Sequence, residues 1–205
     1  KYLDSFIKNL RIEGNYSGPL IVITNFFASK FLFKIIFQNK DKNLKFLKFK
    51  KTKFNKFNKK KLKNLETGNQ PNRHLTKRFQ WEKFNLFDPK LKNWDYIFYL
   101  DINMTIHHDI NPIFSEIPDG VLFAKADRYP NYDKTLASQF DQTKPDFKKL
   151  HKEFDLSSEK YFQTGVLFFD TNLIEKNTKY NLIELSERFP ITLTNEQAIM
   201  NLYFA

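Results

Sequence analysis

The chain has no cysteine in 205 residues. Disulfides and thiolate metal sites are therefore excluded, although the compartment is not fixed by that alone. No segment approaches the roughly 18 consecutive apolar residues of a membrane-spanning helix. No secretory signal is visible either, and a cytoplasmic location is the resulting expectation. The chain does not begin with Met, which leaves either end open to trimming. No internal repeat stands out. A glycine-rich phosphate loop with basic residues near the start, which a nucleotidyltransferase would favour, is also missing. So is any arginine-rich or RNP-like pattern of the kind that marks RNA binders.

What is present begins with apolar material. Hydrophobic residues make up 41% of the chain and phenylalanine alone supplies 24. A length of 205 residues then suggests a single domain with enough core to need no staples. The net charge of +11 is local. Lys40 to Lys63 holds 12 lysines and one aspartate, and the other 22 basic and 22 acidic residues cancel. Residues 40–65 therefore read as a lysine-rich insertion or edge segment. Its plain reading is a solvated loop or helix that Phe54 and Phe57 anchor to the body. The sharper one is a patch for an anionic partner, whether nucleic acid, membrane or an acidic acceptor.

Periodicity predicts a helix over Tyr2 to Leu10, a turn cluster at Glu13 to Pro19 and a short strand at Leu20 to Thr24. A Phe-dense helix follows over Phe26 to Phe37, and an edge strand over Leu44 to Phe49. His74 to Phe87 has helical spacing, with Asp88-Pro89 as its stop. Strands are expected at Tyr96 to Leu100, Gly120 to Ala126 and Phe162 to Asp170. Tyr129 to Asp155 reads as an irregular loop that covers a site. Helices are expected from Asn172, with Glu175 at the capping-box position, to Pro190, and from Thr194 onward. Strands alternating with helices predict an α/β fold with a largely parallel sheet.

The chain is organised around WDYIFYLDIN, Trp94 to Asn103. The apolar run Tyr96 to Leu100 reads as a strand buried on both faces, and it ends abruptly in Asp101. Ligands of parallel sheets bind beyond the carboxyl ends of strands, so Asp101 and Asn103 stand where a metal-bound ligand is expected. A strand ending in a polar turn explains the same residues without a ligand. His107 and His108 are adjacent and cannot both face one ion from a helix, so they read as structural or solvent-facing.

Five stretches, taken in order, resemble the GT-A glycosyltransferases of family 8, the glycogenin-like branch in particular. KYLDSFIKNL is similar to the first helix after the family's nucleotide-binding strand. LTKRFQW, Leu75 to Trp81, is similar to the helix before the metal strand. WDYIFYLDINMTIHHDINPIF resembles the strand that carries the DxD motif. YFQTGVLFFD resembles the asparagine-small-glycine strand, and NEQAIMNLYF the aspartate-glutamine helix. The resemblance implies a GT-A, Rossmann-like, mostly parallel sheet flanked by helices, one domain over residues 1–205. The family's uracil-holding first strand and its closing histidine-containing segment have no counterpart in this chain.

That resemblance implies retaining transfer of a sugar from a nucleotide diphosphate sugar, usually UDP-linked, with Mn2+ or Mg2+. The acceptor would be a carbohydrate or a protein, and a homodimer is compatible with it. Nucleic acid is not an expected partner. Hard cations take oxygen ligands, so neither Cys nor His is obligatory. Asp101 would bind metal and ribose, and Asn103 falls where a second aspartate ligates the metal. That amide is neutral, which should weaken metal binding. Lys77 would contact the donor's phosphates or sugar; its plain reading is an exposed helix lysine. Gln163 replaces the asparagine that reads the sugar, while Thr164 and Gly165 fit the small-residue positions. Glu196, in place of an aspartate, and Gln197 would touch the transferred sugar near the reacting carbon. Their plain reading is a helix cap with Thr194 and a favourable charge at a helix N-terminus. Asp127, ending the strand after the metal strand, is a donor-sugar contact in this scheme. A degenerate fold that binds without catalysis is the alternative.

Overall fold

The computed structural model describes residues 2–24, 41–55, 79–117 and 119–204. It is a mixed α/β structure with small sheets, and its contacts divide it into two compact units. One comprises Lys1–Lys51 and Leu100–Ile117, the other Thr52–Tyr99 and Pro118–Ala205.

In the first unit, α1 (Tyr2–Ile12) buries Phe6, Ile7 and Leu10, the stripe its spacing predicts. It ends in a turn where the Glu13 and Gly14 amides both donate to the Asn9 carbonyl, at 2.9 and 3.1 Å. A side chain at position 14 would put its Cβ 2.6 Å from the Leu10 carbonyl oxygen, so the turn requires glycine. Strands β1 (Leu20–Thr24) and β2 (Leu44–Lys48) pair in parallel, Leu20 opposite Leu44 through Thr24 opposite Lys48. Parallel strands need a long crossover. The helix expected over Phe26 to Phe37 falls in that stretch and lies outside the described residues. Ile7 and Leu44 meet at the centre of this unit, with Leu3, Leu20, Val22 and Phe46 packed around them. Asn9 grips the main chain of Ile106 on both sides. Its Nδ2 donates to the Ile106 carbonyl at 2.8 Å, and its Oδ1 accepts from the Ile106 amide. His107 and His108 are exposed, as expected.

Apart from Leu100, the second unit holds a three-stranded sheet of β3 (Tyr96–Leu100), β4 (Leu122–Ala126) and β5 (Phe162–Asp170), in the order β3-β5-β4. Around it lie α2 (Pro145–Glu153), α3 (Thr178–Arg188) and α4 (Glu196–Phe204). Phe87 stacks on Phe169 at 5.1 Å and meets Phe204 at 4.7 Å between ring centres. Trp81 lies edge-on to Phe54 at 5.0 Å and Phe84 at 5.6 Å. Phe54 thus anchors the lysine-rich strap, as expected, and Phe57 lies outside the described residues. Thr52 adds a second anchor through the Glu82 carboxylate, which accepts from its amide at 3.2 Å and its hydroxyl at 3.3 Å.

Several expectations need correction. β4 runs antiparallel to β5, so the described strands do not form one largely parallel sheet. A connection that contains a helix does not dictate the direction of return. β3 is an edge of the three described strands, with Tyr96 44% exposed, and the central, longest strand is β5. The described end of the helix predicted over His74 to Phe87 is a 3-10 turn, Trp81–Phe87, and Pro89 opens a second turn, Pro89–Asn93. Tyr129 to Asp155 is more ordered than a covering loop, for it carries a short turn, Leu136–Gln139, and α2. The helix expected from Asn172 begins only at Thr178, after a brief turn at Thr171–Leu173 set by the Asp170 carboxylate. Among the described residues, no helix is long and apolar enough to cross a membrane.

Candidate functional site

Five of the expected site residues come together in the second unit, at the starts of β5 and α4. Asp127 follows the last residue of β4. Its Oδ1 accepts from Gln163 Nε2 at 2.7 Å, and its Oδ2 from Gln197 Nε2 at 3.4 Å. Gln197 Nε2 also donates to Gln139 Oε1 at 3.1 Å, and that same oxygen accepts from the Thr194 hydroxyl. Thr194 therefore does not form a capping box with Gln197. Their link is a main-chain turn, Gln197 amide to Thr194 carbonyl at 3.3 Å, and the Gln197 side chain turns into the network.

Successive residues of a strand point to opposite faces, so Thr164 serves a different cluster from Gln163. Its hydroxyl donates to Glu196 Oε1 at 2.9 Å. The Lys83 ammonium lies 3.2 Å from the same oxygen and donates to the Thr164 carbonyl at 3.2 Å. It also sits 5.7 Å from the centre of the Tyr99 ring. Glu196 is only 1% exposed, and its Oε2 is buried with no hydrogen-bond partner among the described residues. Such an oxygen costs roughly 1–3 kcal/mol. Burial raises the Glu196 pKa above the ordinary carboxyl range, although Lys83 and the Thr164 hydroxyl pull it down. A buried, perturbed carboxyl beside a polar cluster is a candidate for function, or a costly structural pair.

Asn201, fully buried on α4, fixes where β5 begins. Its Oδ1 accepts from the Phe162 amide at 2.7 Å and its Nδ2 donates to the Phe162 carbonyl at 2.9 Å. Asn195, at the entrance to α4, has φ of 56°, a left-handed conformation that asparagine tolerates better than most residues. Its Nδ2 donates to Gln80 Oε1 at 2.6 Å.

Gly165 follows Thr164 on β5. Asp101 and Asn103 belong to the first unit, where the Met104 amide closes a turn on the Asp101 carbonyl at 3.0 Å. Asp101 is half-buried and Asn103 exposed. Lys77 lies outside the described residues. A carboxylate and an amide are suitable oxygen donors for Mn2+ or Mg2+. Among the described residues, however, no three His, Asp or Glu side chains gather as a metal site. Lys83, Gln139 and Asn201 were not legible as site residues. Lys83 lies between the buried Trp81 and Phe84 and Gln139 closes the short Leu136–Gln139 turn, neither within a motif, whereas Asn201 left a trace as a lone amide in the apolar run of α4.

The chain matches no known family, no curated protein and no solved structure.

Proposed function

We propose that this chain is a nucleotide-sugar-dependent glycosyltransferase domain of the GT-A, glycogenin-like kind, retaining and UDP-linked. What carries the reading is that residues spread over some 70 positions of sequence meet in two neighbouring polar clusters, Asp127 with Gln163 and Gln197 in one, and Thr164 with Glu196 in the other. The resemblance assigns Asp127, Gln163, Glu196 and Gln197 to the donor sugar and Thr164 to a small-residue position beside it. In this reading Asp127, Gln163 and Gln197 hold sugar hydroxyls in one orientation. Lys83 and Thr164 hold Glu196 in place beside them. Asp101 and Asn103 are the residues assigned to Mn2+ or Mg2+, which would arrive with the diphosphate and take its other ligands from it and from water. Lys77 is assigned to the phosphates, and the acceptor is a carbohydrate or a protein.

The test is a panel of UDP-glucose, UDP-galactose and UDP-N-acetylglucosamine with Mn2+, followed by calorimetry and by UDP release. Binding of one donor, weakened by both Asp101→Ala and Gln163→Ala, is the expected result. No binding and no UDP release with any donor would remove the reading.

A degenerate transferase that binds without catalysis is favoured by the neutral, exposed Asn103 at the position of a metal-ligating carboxylate. Restoration of Mn2+ binding by Asn103→Asp from an inert native chain would support it.

A further inference from the structure

Asp127 determines the sense of every hydrogen bond around it. A carboxylate only accepts, so Gln163 and Gln197 must both turn their amide nitrogens toward it. The Gln197 nitrogen has a second hydrogen, and the group it meets is Gln139 Oε1, at 3.1 Å. That oxygen is fixed in turn by the Thr194 hydroxyl. Gln139 is 4% exposed and comes from the Leu136–Gln139 turn, in a stretch that the resemblance leaves unassigned. With both Gln197 hydrogens engaged inward, its carbonyl oxygen is what remains. Among the described residues, neither Gln197 Oε1 nor Gln163 Oε1 has a hydrogen-bond partner, and neither belongs to the buried orphan atoms.

We propose that Gln139 is a positioning residue, which holds the Gln197 amide so that the Gln197 and Gln163 carbonyl oxygens form an acceptor pair for a hydroxyl-bearing ligand. This rests on the reading of the network as a sugar site. A pair of acceptors beside a carboxylate favours hydroxyl donors and disfavours phosphate, so the selectivity belongs to the sugar half of a donor. Gln139→Met removes the acceptor that fixes Gln197, whereas Gln139→Glu retains one.

The experiment compares native protein, Gln139→Met and Gln139→Glu for binding of UDP, UDP-glucose and UDP-galactose by ligand-observed NMR. The ratio of UDP-sugar to UDP affinity should fall about tenfold in Gln139→Met, with UDP itself unchanged, and stay near native in Gln139→Glu. An unaltered ratio in Gln139→Met overturns the proposal. If native protein binds none of the probes, the sugar-site reading falls, and a stability comparison decides the positioning alone. Gln197→Glu would set an acceptor against Asp127 and Gln139 and should lower Tm by about 5 °C more than Gln139→Glu. Equal losses, or the reverse order, would refute the assigned orientation.

Discussion

Glu196 has one carboxyl oxygen held and one left over, and this imbalance has a pH signature. Burial favours the neutral acid in the folded chain, so the folded state binds that proton more tightly than the unfolded state. The group's contribution to stability is then full below the ordinary carboxyl range and declines as pH rises through its raised folded value. Glu196→Gln does not titrate. Its stability relative to native should therefore improve steadily from about pH 4 toward neutrality, whatever the offset from the lost pairing with Lys83. Urea unfolding at a series of pH values measures this, and a pH-independent difference would show that Glu196 titrates alike in both states. Lys83→Met should cost about 3–5 kcal/mol at neutral pH, because it strands a buried carboxylate, and less in acid, where that carboxyl is protonated. The same titration reads both variants.

At the scale of elements, α4 is fastened to β5 by Asn201, which supplies the partners a neighbouring strand would otherwise give to Phe162. Asn201→Leu keeps the bulk and leaves that amide and carbonyl unpaired. A loss of about 2–4 kcal/mol in chemical denaturation is expected, and a loss under about 0.5 would mean that water replaces the side chain. The extent of β1 and β3 could be read from the sequence because each is an apolar run closed by polar residues, and the end of β5 because Val166 to Phe169 runs apolar up to Asp170. The sequence did not reveal the direction of β4, or that β5 rather than β3 is central, since pairing is decided by distant chain. The Trp81–Phe87 turn did leave a signal: Trp81, Phe84 and Phe87 recur every third residue, the 3-10 period, and all three are buried. Helical spacing from Phe79 obscured it, and Phe79 is 59% exposed. Likewise Asp127, Gln163 and Gln197 could be named from motif resemblance, but their mutual hydrogen bonds depend on a fold that brings position 127 to 197.

For the molecule as a whole, the excess charge sits between Lys40 and Lys63, and Lys42, Lys45, Lys50, Lys51 and Lys53 are exposed there. Replacing these five with Gln should shift elution from a heparin column to lower salt and leave the unfolding midpoint within experimental error. Unchanged elution would place the basic surface elsewhere. Both tryptophans, Trp81 and Trp94, fall in the second unit, and Trp81 is packed between two phenylalanines. Indole emission is therefore a signal that originates in that unit. The parallel pair of β1 and β2 carries no tryptophan, so following it calls for an indole placed there on purpose.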